Sequence, residues 1–276
     1  MLAVKKEFDT NAWTEVYASK QNKQILTWTV TGVEDYAEQP CLIVSKDRTK
    51  GIIPLTESGV QLTENERINR SRLAALIGQE VSFMVISTDK KSDIFVASRE
   101  KAMAKLSSVT WDKIKLGHTK TVVARRIVSA RKKDGSIYDM GVSVEFDGVQ
   151  AFLPVQEIAY GWIGQISDFI QPGDTFDAQV IEIDKEKSKI LVSVKALYEN
   201  PFPKCLDRYS KGGIYAGDVT GIAEYGVFVS LEQGVNALCS HPRAGKVNKG
   251  DKVAIIITRI ENQRINGLIS RIIRHA

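Results

Sequence analysis

Apolar and polar positions along this chain follow one pattern that recurs three times. In each copy a glycine and a polar residue open an apolar strand, a polar turn follows, and a second apolar strand closes on a serine. The copies run from Gly78-Gln79-Glu80-Val81 to Ser98-Arg99, from Gly173-Asp174-Thr175-Phe176 to Ser193-Val194-Lys195, and from Gly250-Asp251-Lys252-Val253 to Ser270-Arg271. The glycine and the closing serine stand 20 positions apart in all three. Inside the copies, segments such as Val180-Ile181-Glu182-Ile183 and Ala254-Ile255-Ile256-Ile257 alternate or run continuously in β-branched residues. Such patterns predict strand, turn, strand.

A matching section precedes every hairpin. It begins at Val30-Thr31-Gly32-Val33, Val123-Ala124-Arg125-Arg126-Ile127 and Val219-Thr220-Gly221-Ile222, and ends in a short apolar segment: Gly51-Ile52-Ile53-Pro54, Ala151-Phe152-Leu153-Pro154 and Ala237-Leu238-Cys239-Ser240. The first two copies then insert a helix-length segment, the last only a short loop. In the first insertion Thr63 and Glu66 have capping-box spacing ahead of Ile68, Leu73, Leu76 and Ile77, with Gly78 just past the end. Five strands with an insertion between the third and fourth describe an OB barrel. The predicted class is therefore all-β with short helices, as three tandem five-stranded OB-fold barrels. The expected limits are 1–105 with an N-terminal helix, 110–198 and 208–274.

The joints fit that division. Lys101 to Trp111 reads as a short helical linker, and Glu199-Asn200-Pro201-Phe202-Pro203 as a stiff, extended one. Residues 9–20 read as an amphipathic helix capped by Asp9, with Trp13, Val16 and Tyr17 on one face against the first barrel.

Composition narrows the class without choosing the function. With 43% hydrophobic and 26% charged residues the chain is ordinary globular protein. It has no apolar run of membrane-span length and no signal-peptide pattern at its start, so a cytoplasmic location is expected. Cys41, Cys205 and Cys239 are isolated and lack CxxC spacing, which argues for reduced structural thiols. The net charge of +5 is mild but uneven: +1 over 1–105, 0 over 106–205 and +4 over 206–276. A basic run from Lys113 to Lys133 is neutralised within its own module and reads equally well as a solvated strand edge.

The stretch from Tyr215 through Gly221, Tyr225, Gly226 and Phe228 to Val229, with its ending at Ser270-Arg271, closely resembles the ribosomal S-one (S1) type of RNA-binding domain. Ala151-Phe152-Leu153-Pro154 resembles a variant third strand of the same family, and the first module matches mainly through its hairpin. The resemblance implies RNA lying across the second and third strands, stacked on exposed rings and held at its phosphates by rim cations. Stacking on a ring is worth roughly 1–3 kcal/mol per base and tolerates any sequence. Carried over by position, the implied RNA contacts are Tyr215, Tyr225, Phe228, Arg243, Lys246, Lys249 and Arg271 in the third module and Phe152 in the second. A core position is the competing reading for Tyr225 and Phe228. The family's third-strand histidine falls on Ser240, and His241, one place later, is expected to point to the other face or serve the turn. The second module has Met140 and Ser143 where the third has Tyr225 and Phe228, and the first is expected to have Gln39 and Leu42 there.

No phosphate loop, HExxH or nucleophile elbow occurs, and His118, His241 and His275 are dispersed. Carboxylates such as Asp184 and Glu186 sit in a predicted hairpin turn. The expectation is a non-catalytic binder of single-stranded RNA, mRNA foremost, without cofactor, metal, membrane or small-molecule substrate. A ribosome or RNA polymerase is the expected large partner. The competing reading is a protein-interaction adaptor on one of those machines with weak RNA contact.

Overall fold

The computed structural model describes residues 5–202, 204–242, 245–261 and 264–276, with side chains from residue 12 onward. Helix α1 (Lys5–Asn22) precedes β1 (Leu26–Tyr36), β2 (Gln39–Lys46), β3 (Thr49–Pro54), α2 (Glu66–Ala74), β4 (Glu80–Asp89) and β5 (Ile94–Ser98). Helix α3 (Arg99–Lys113) leads into β6 (Thr119–Arg131), β7 (Ile137–Phe146), β8 (Val149–Pro154), β9 (Thr175–Asp184) and β10 (Lys189–Ser193). The last set is β11 (Ile214–Ala223), β12 (Gly226–Glu232), β13 (Val235–Ser240), β14 (Lys252–Glu261) and β15 (Arg264–Arg274). Each set closes into a barrel in the order first, second, third, fifth, fourth, with the third and fifth strands parallel. The architecture is all-β with three OB barrels in tandem.

One device lets the first strand of each barrel serve two partners. In β1, Leu26–Thr29 pair with β4 and Val30–Tyr36 with β2, with the register shifting between Val30 and Gly32. The same irregularity lies between Ala124 and Arg126 and between Val219 and Gly221. An extra residue there bends the strand around the barrel. Inward positions fill three separate cores. The first is built around Trp28, Phe83 and Phe95, whose centroids lie 5.3–5.8 Å apart. The third is aliphatic with Cys205 and Cys239. Burial raises the Cys239 thiol to about 12, and all three cysteines are buried and free.

Several local expectations change in the structure. Trp13 and Val16 are buried against the first core with Tyr17 beside them, but Asp9 lies inside α1 and cannot cap it. The cap of α2 is Asn65, not Thr63: the Asn65 side chain accepts from the Arg67 and Ile68 amides, and the Thr63 hydroxyl instead meets Asn69 Oδ1 at 2.9 Å. Leu73 and Leu76 are buried as the helical pattern requires, whereas Ile68 and Ile77 are exposed. The second insertion forms two 3-10 turns, Val155–Glu157 and Ile166–Asp168, and no α-helix, since Gly161, Gly164 and Pro172 interrupt it. Past the expected extended joint, Lys204–Arg208 form a 3-10 turn and the Cys205 amide donates to Pro201 O at 2.9 Å; Pro203 lies outside the described residues. Among the described residues, no helix is long and apolar enough to cross a membrane.

Candidate functional site

On β12 the side chains of Val227 and Val229 are fully buried, so the intervening Phe228 stands on the outer face, opposite Gly221 of β11 and Leu238 of β13. Tyr225, 71% exposed, meets the Phe228 ring edge-on, with centroids 5.9 Å apart. Phe228 itself is covered. Trp162, from the insertion of the second barrel, stacks on it at 4.5 Å with 14° between the ring planes. The indole lies directly over Gly221, where a Cβ would fall 1.8 Å from the ring. Asn236 of β13 holds the same segment, its amide oriented so that Oδ1 accepts from the Trp162 N–H at 2.5 Å and Nδ2 donates to Val235 O at 3.3 Å. Lys249 adds an ion pair to Asp168 at 2.6 Å.

The remaining expected contacts are dispersed. Tyr215 shares the inward parity of Gly217 and Val219, packs on the third core and meets Tyr209 at 5.0 Å, while its hydroxyl accepts from the Ser210 amide at 3.0 Å. That parity takes it off the face of Phe228. Lys246 is exposed and Lys249 is engaged by Asp168. Arg271 is exposed beside a cleft of about 570 Å³ shared with Ser240, His241 and Leu268. Arg243 lies outside the described residues. His241 Nε2 sits 2.9 Å from Ala223 O and 3.3 Å from Glu224 O, fastening the β11–β12 turn. Phe152 is half-buried and lies over Gly141, where a Cβ would be 2.6 Å from its ring.

The equivalent face differs in each barrel. The residue opposite Gly32 in the first barrel is Ile43, not the expected Leu42. Leu42 points into the core, because a slip of one position reverses the face of a strand. Ile43 joins Cys41 and Ile52 in a small buried cluster, against which the half-buried Tyr36 and Ile94 pack. In the second barrel Ser143 takes the Phe228 position, opposite Arg126, and Glu145 is the next outward residue. Glu145 is clamped between Arg125 at 3.0 Å and Arg99, which enters from the first barrel. Arg99 is 2% exposed and also donates to Ser58 O at 2.9 Å; Arg125 donates to Gln79 Oε1 and Glu80 O, both at 2.9 Å. Burial lowers the Arg99 pKa, and Glu145 opposes that shift.

A common geometry underlies both junctions. Gln150 and Asn236 each follow the opening valine of a third strand, and each holds the backbone of the preceding module's insertion. Gln150 Nε2 donates to Gly59 O at 3.4 Å, and Asn236 holds Trp162. Sequence reasoning missed Trp162, Asn236 and the Arg99–Glu145 pair. The available signal was a tryptophan set between Gly161 and Gly164 in the insertion.

Residues 135–195, from the start of β7 to just past β10, match the S1 RNA binding domain. That segment of the second barrel is similar to the S1 RNA binding domain, and the relatives below extend the similarity over most of the chain. Among curated relatives, the chain is 26% identical over 200 residues to small ribosomal subunit protein bS1 of Neisseria meningitidis, covering 68% of the chain and 34% of the relative. It is 29% identical over 240 residues to 4-hydroxy-3-methylbut-2-enyl diphosphate reductase of Clostridium acetobutylicum, covering 80% of the chain and 36% of the relative. The chain thus spans about a third of the length of these proteins. A solved multidomain protein with nucleic acid binding domains from Streptococcus pneumoniae aligns with a TM-score of 0.21 and 13% identity, over 90% of this chain and 73% of that one.

Proposed function

We propose that this S1-type protein binds single-stranded RNA, mRNA foremost, without catalysing a reaction on it. It would act in translation or RNA handling in the cytoplasm, with a ribosome or RNA polymerase as its large partner. The carrying observation is the Tyr225–Phe228 ring pair on the outer face of the second strand of the third OB barrel, in a chain whose second barrel matches the S1 RNA binding domain. Tyr225 and Phe228 would stack bases, and Lys246 and Arg271 would hold phosphates from the rim. Tyr215 serves the core instead. The non-catalytic part of the reading is supported by the S1 match and the bS1 relatives; the reductase alignment covers 36% of that enzyme.

The test is titration of labelled single-stranded RNA with the full chain at several salt concentrations. Tyr225→Ala should weaken binding by roughly 1–3 kcal/mol with the salt slope unchanged. Lys246→Gln should flatten the log–log salt slope by about 0.7. A protein-adaptor reading is favoured by Ile43 and Ser143, which stand in the first two barrels where the third has Phe228. It replaces the RNA reading if neither substitution changes RNA retention.

A further inference from the structure

The stacking face of the third barrel carries an occupant from within the chain. Trp162 is parallel to Phe228 within 14° and 4.5 Å away, a geometry suited to an unstacked nucleobase on the same ring. Gly221 is the complementary half of the contact. The three atoms nearest to its would-be Cβ all belong to the Trp162 ring, so the missing side chain makes room for this indole. Gly32, at the same place in the first barrel, has no atom within 4 Å of a Cβ, and there no tryptophan docks. In the second barrel the place is taken by Arg126.

We propose that Trp162 is an intramolecular stand-in for a base: at rest it closes the third barrel's platform, and RNA reaches Phe228 only by displacing it. The proposal rests on the RNA reading of this face. The remaining ties at the junction are easily given up. The Lys249–Asp168 pair is exposed, 60% and 42% at its two side chains, and the Asn236–Trp162 hydrogen bond is one that water can replace. Opening therefore leaves no buried charge behind. It also frees Lys249, so a cation becomes available as the ring is uncovered. Because only the open fraction binds, the apparent Kd is raised by the inverse of that fraction.

Gly221→Ala tests this with both rings kept in place, because a Cβ at that position is incompatible with the docked indole. The full-length variant, together with Trp162→Ala, is titrated with a fluorescent single-stranded oligoribonucleotide. Each should tighten Kd by roughly 2- to 10-fold, as expected for removing one ring–ring contact. The double variant should gain no more than either single, since both remove one event. The salt slope should stay the same in Trp162→Ala. Weaker binding by Trp162→Ala would make the indole part of the platform and overturn the proposal. Unchanged Kd in both variants would overturn it too, and Tyr225→Ala in the same assay then separates the cases. If Tyr225→Ala still weakens binding, the RNA reading stands and only the occlusion falls; if it also has no effect, the face does not bind RNA and both fall.

Discussion

The two junctions between barrels share a plan and differ in what seals them. In each, the insertion after the third strand of one barrel leans on the outer face of the next, and an amide side chain at one fixed place, Gln150 or Asn236, holds its backbone. At the first junction the seal is Arg99–Glu145–Arg125, with Arg99 and Glu145 almost fully buried and the Nε atoms of both arginines lacking a hydrogen-bond partner among the described residues. At the second it is Trp162 on Phe228, half-exposed and free of buried charge. Opening the first would strand desolvated ions, whereas opening the second parts two rings, one hydrogen bond and one exposed ion pair. The same contact plan thus yields a fixed joint and a releasable one.

The largest effect that would break this contrast is at Glu145. Glu145→Ala leaves two arginines facing each other without an anion, and chemical denaturation should show a loss of about 3–5 kcal/mol. A change below 1 kcal/mol would mean that water reaches this joint and that the first junction is no more fixed than the second. Trp162→Ala should cost far less, about 0.5–1.5 kcal/mol of ring–ring interaction plus the small area uncovered. That loss should appear in the unfolding of the third barrel and leave the first unaffected. Smallest is Asp168→Asn, which removes an exposed ion pair and should shift stability by about 0.5 kcal/mol or less. A larger shift would show that electrostatics, rather than stacking, holds the second junction.

The barrels were legible in the sequence because their signals are local. The constant spacing from Gly78 to Ser98, Gly173 to Ser193 and Gly250 to Ser270 marks hairpins that the structure places in β4–β5, β9–β10 and β14–β15. The junctions were not legible, since their partners are distant in the chain and lie outside the repeat. Glu145 reads as a solvated carboxylate until Arg99 is brought against it. Trp162 has no visible partner until the fold sets Gly221 beneath it. Leu42 was misplaced for a subtler reason: Gly32 pairs with a residue 11 positions on, where Gly221 pairs with Phe228 only 7 on, and across this longer hairpin an error of one position exchanges Leu42 for Ile43 on the outer face. Tyr215 shows the converse, a ring with the family's sequence position but the inward parity of Val219. Phe228 was legible as an outward ring, yet no local pattern shows that an indole already covers it.

The most direct test of the account is amide hydrogen exchange across both junctions, with and without single-stranded RNA. The Trp162 amide, bonded to Asn236, should exchange faster when RNA is bound, while strands β12 and β13 become more protected and residues 57–60 at the first junction do not change. Slower exchange at 160–164 on RNA binding would contradict the account, because Trp162 would then be clamped against its platform rather than released from it.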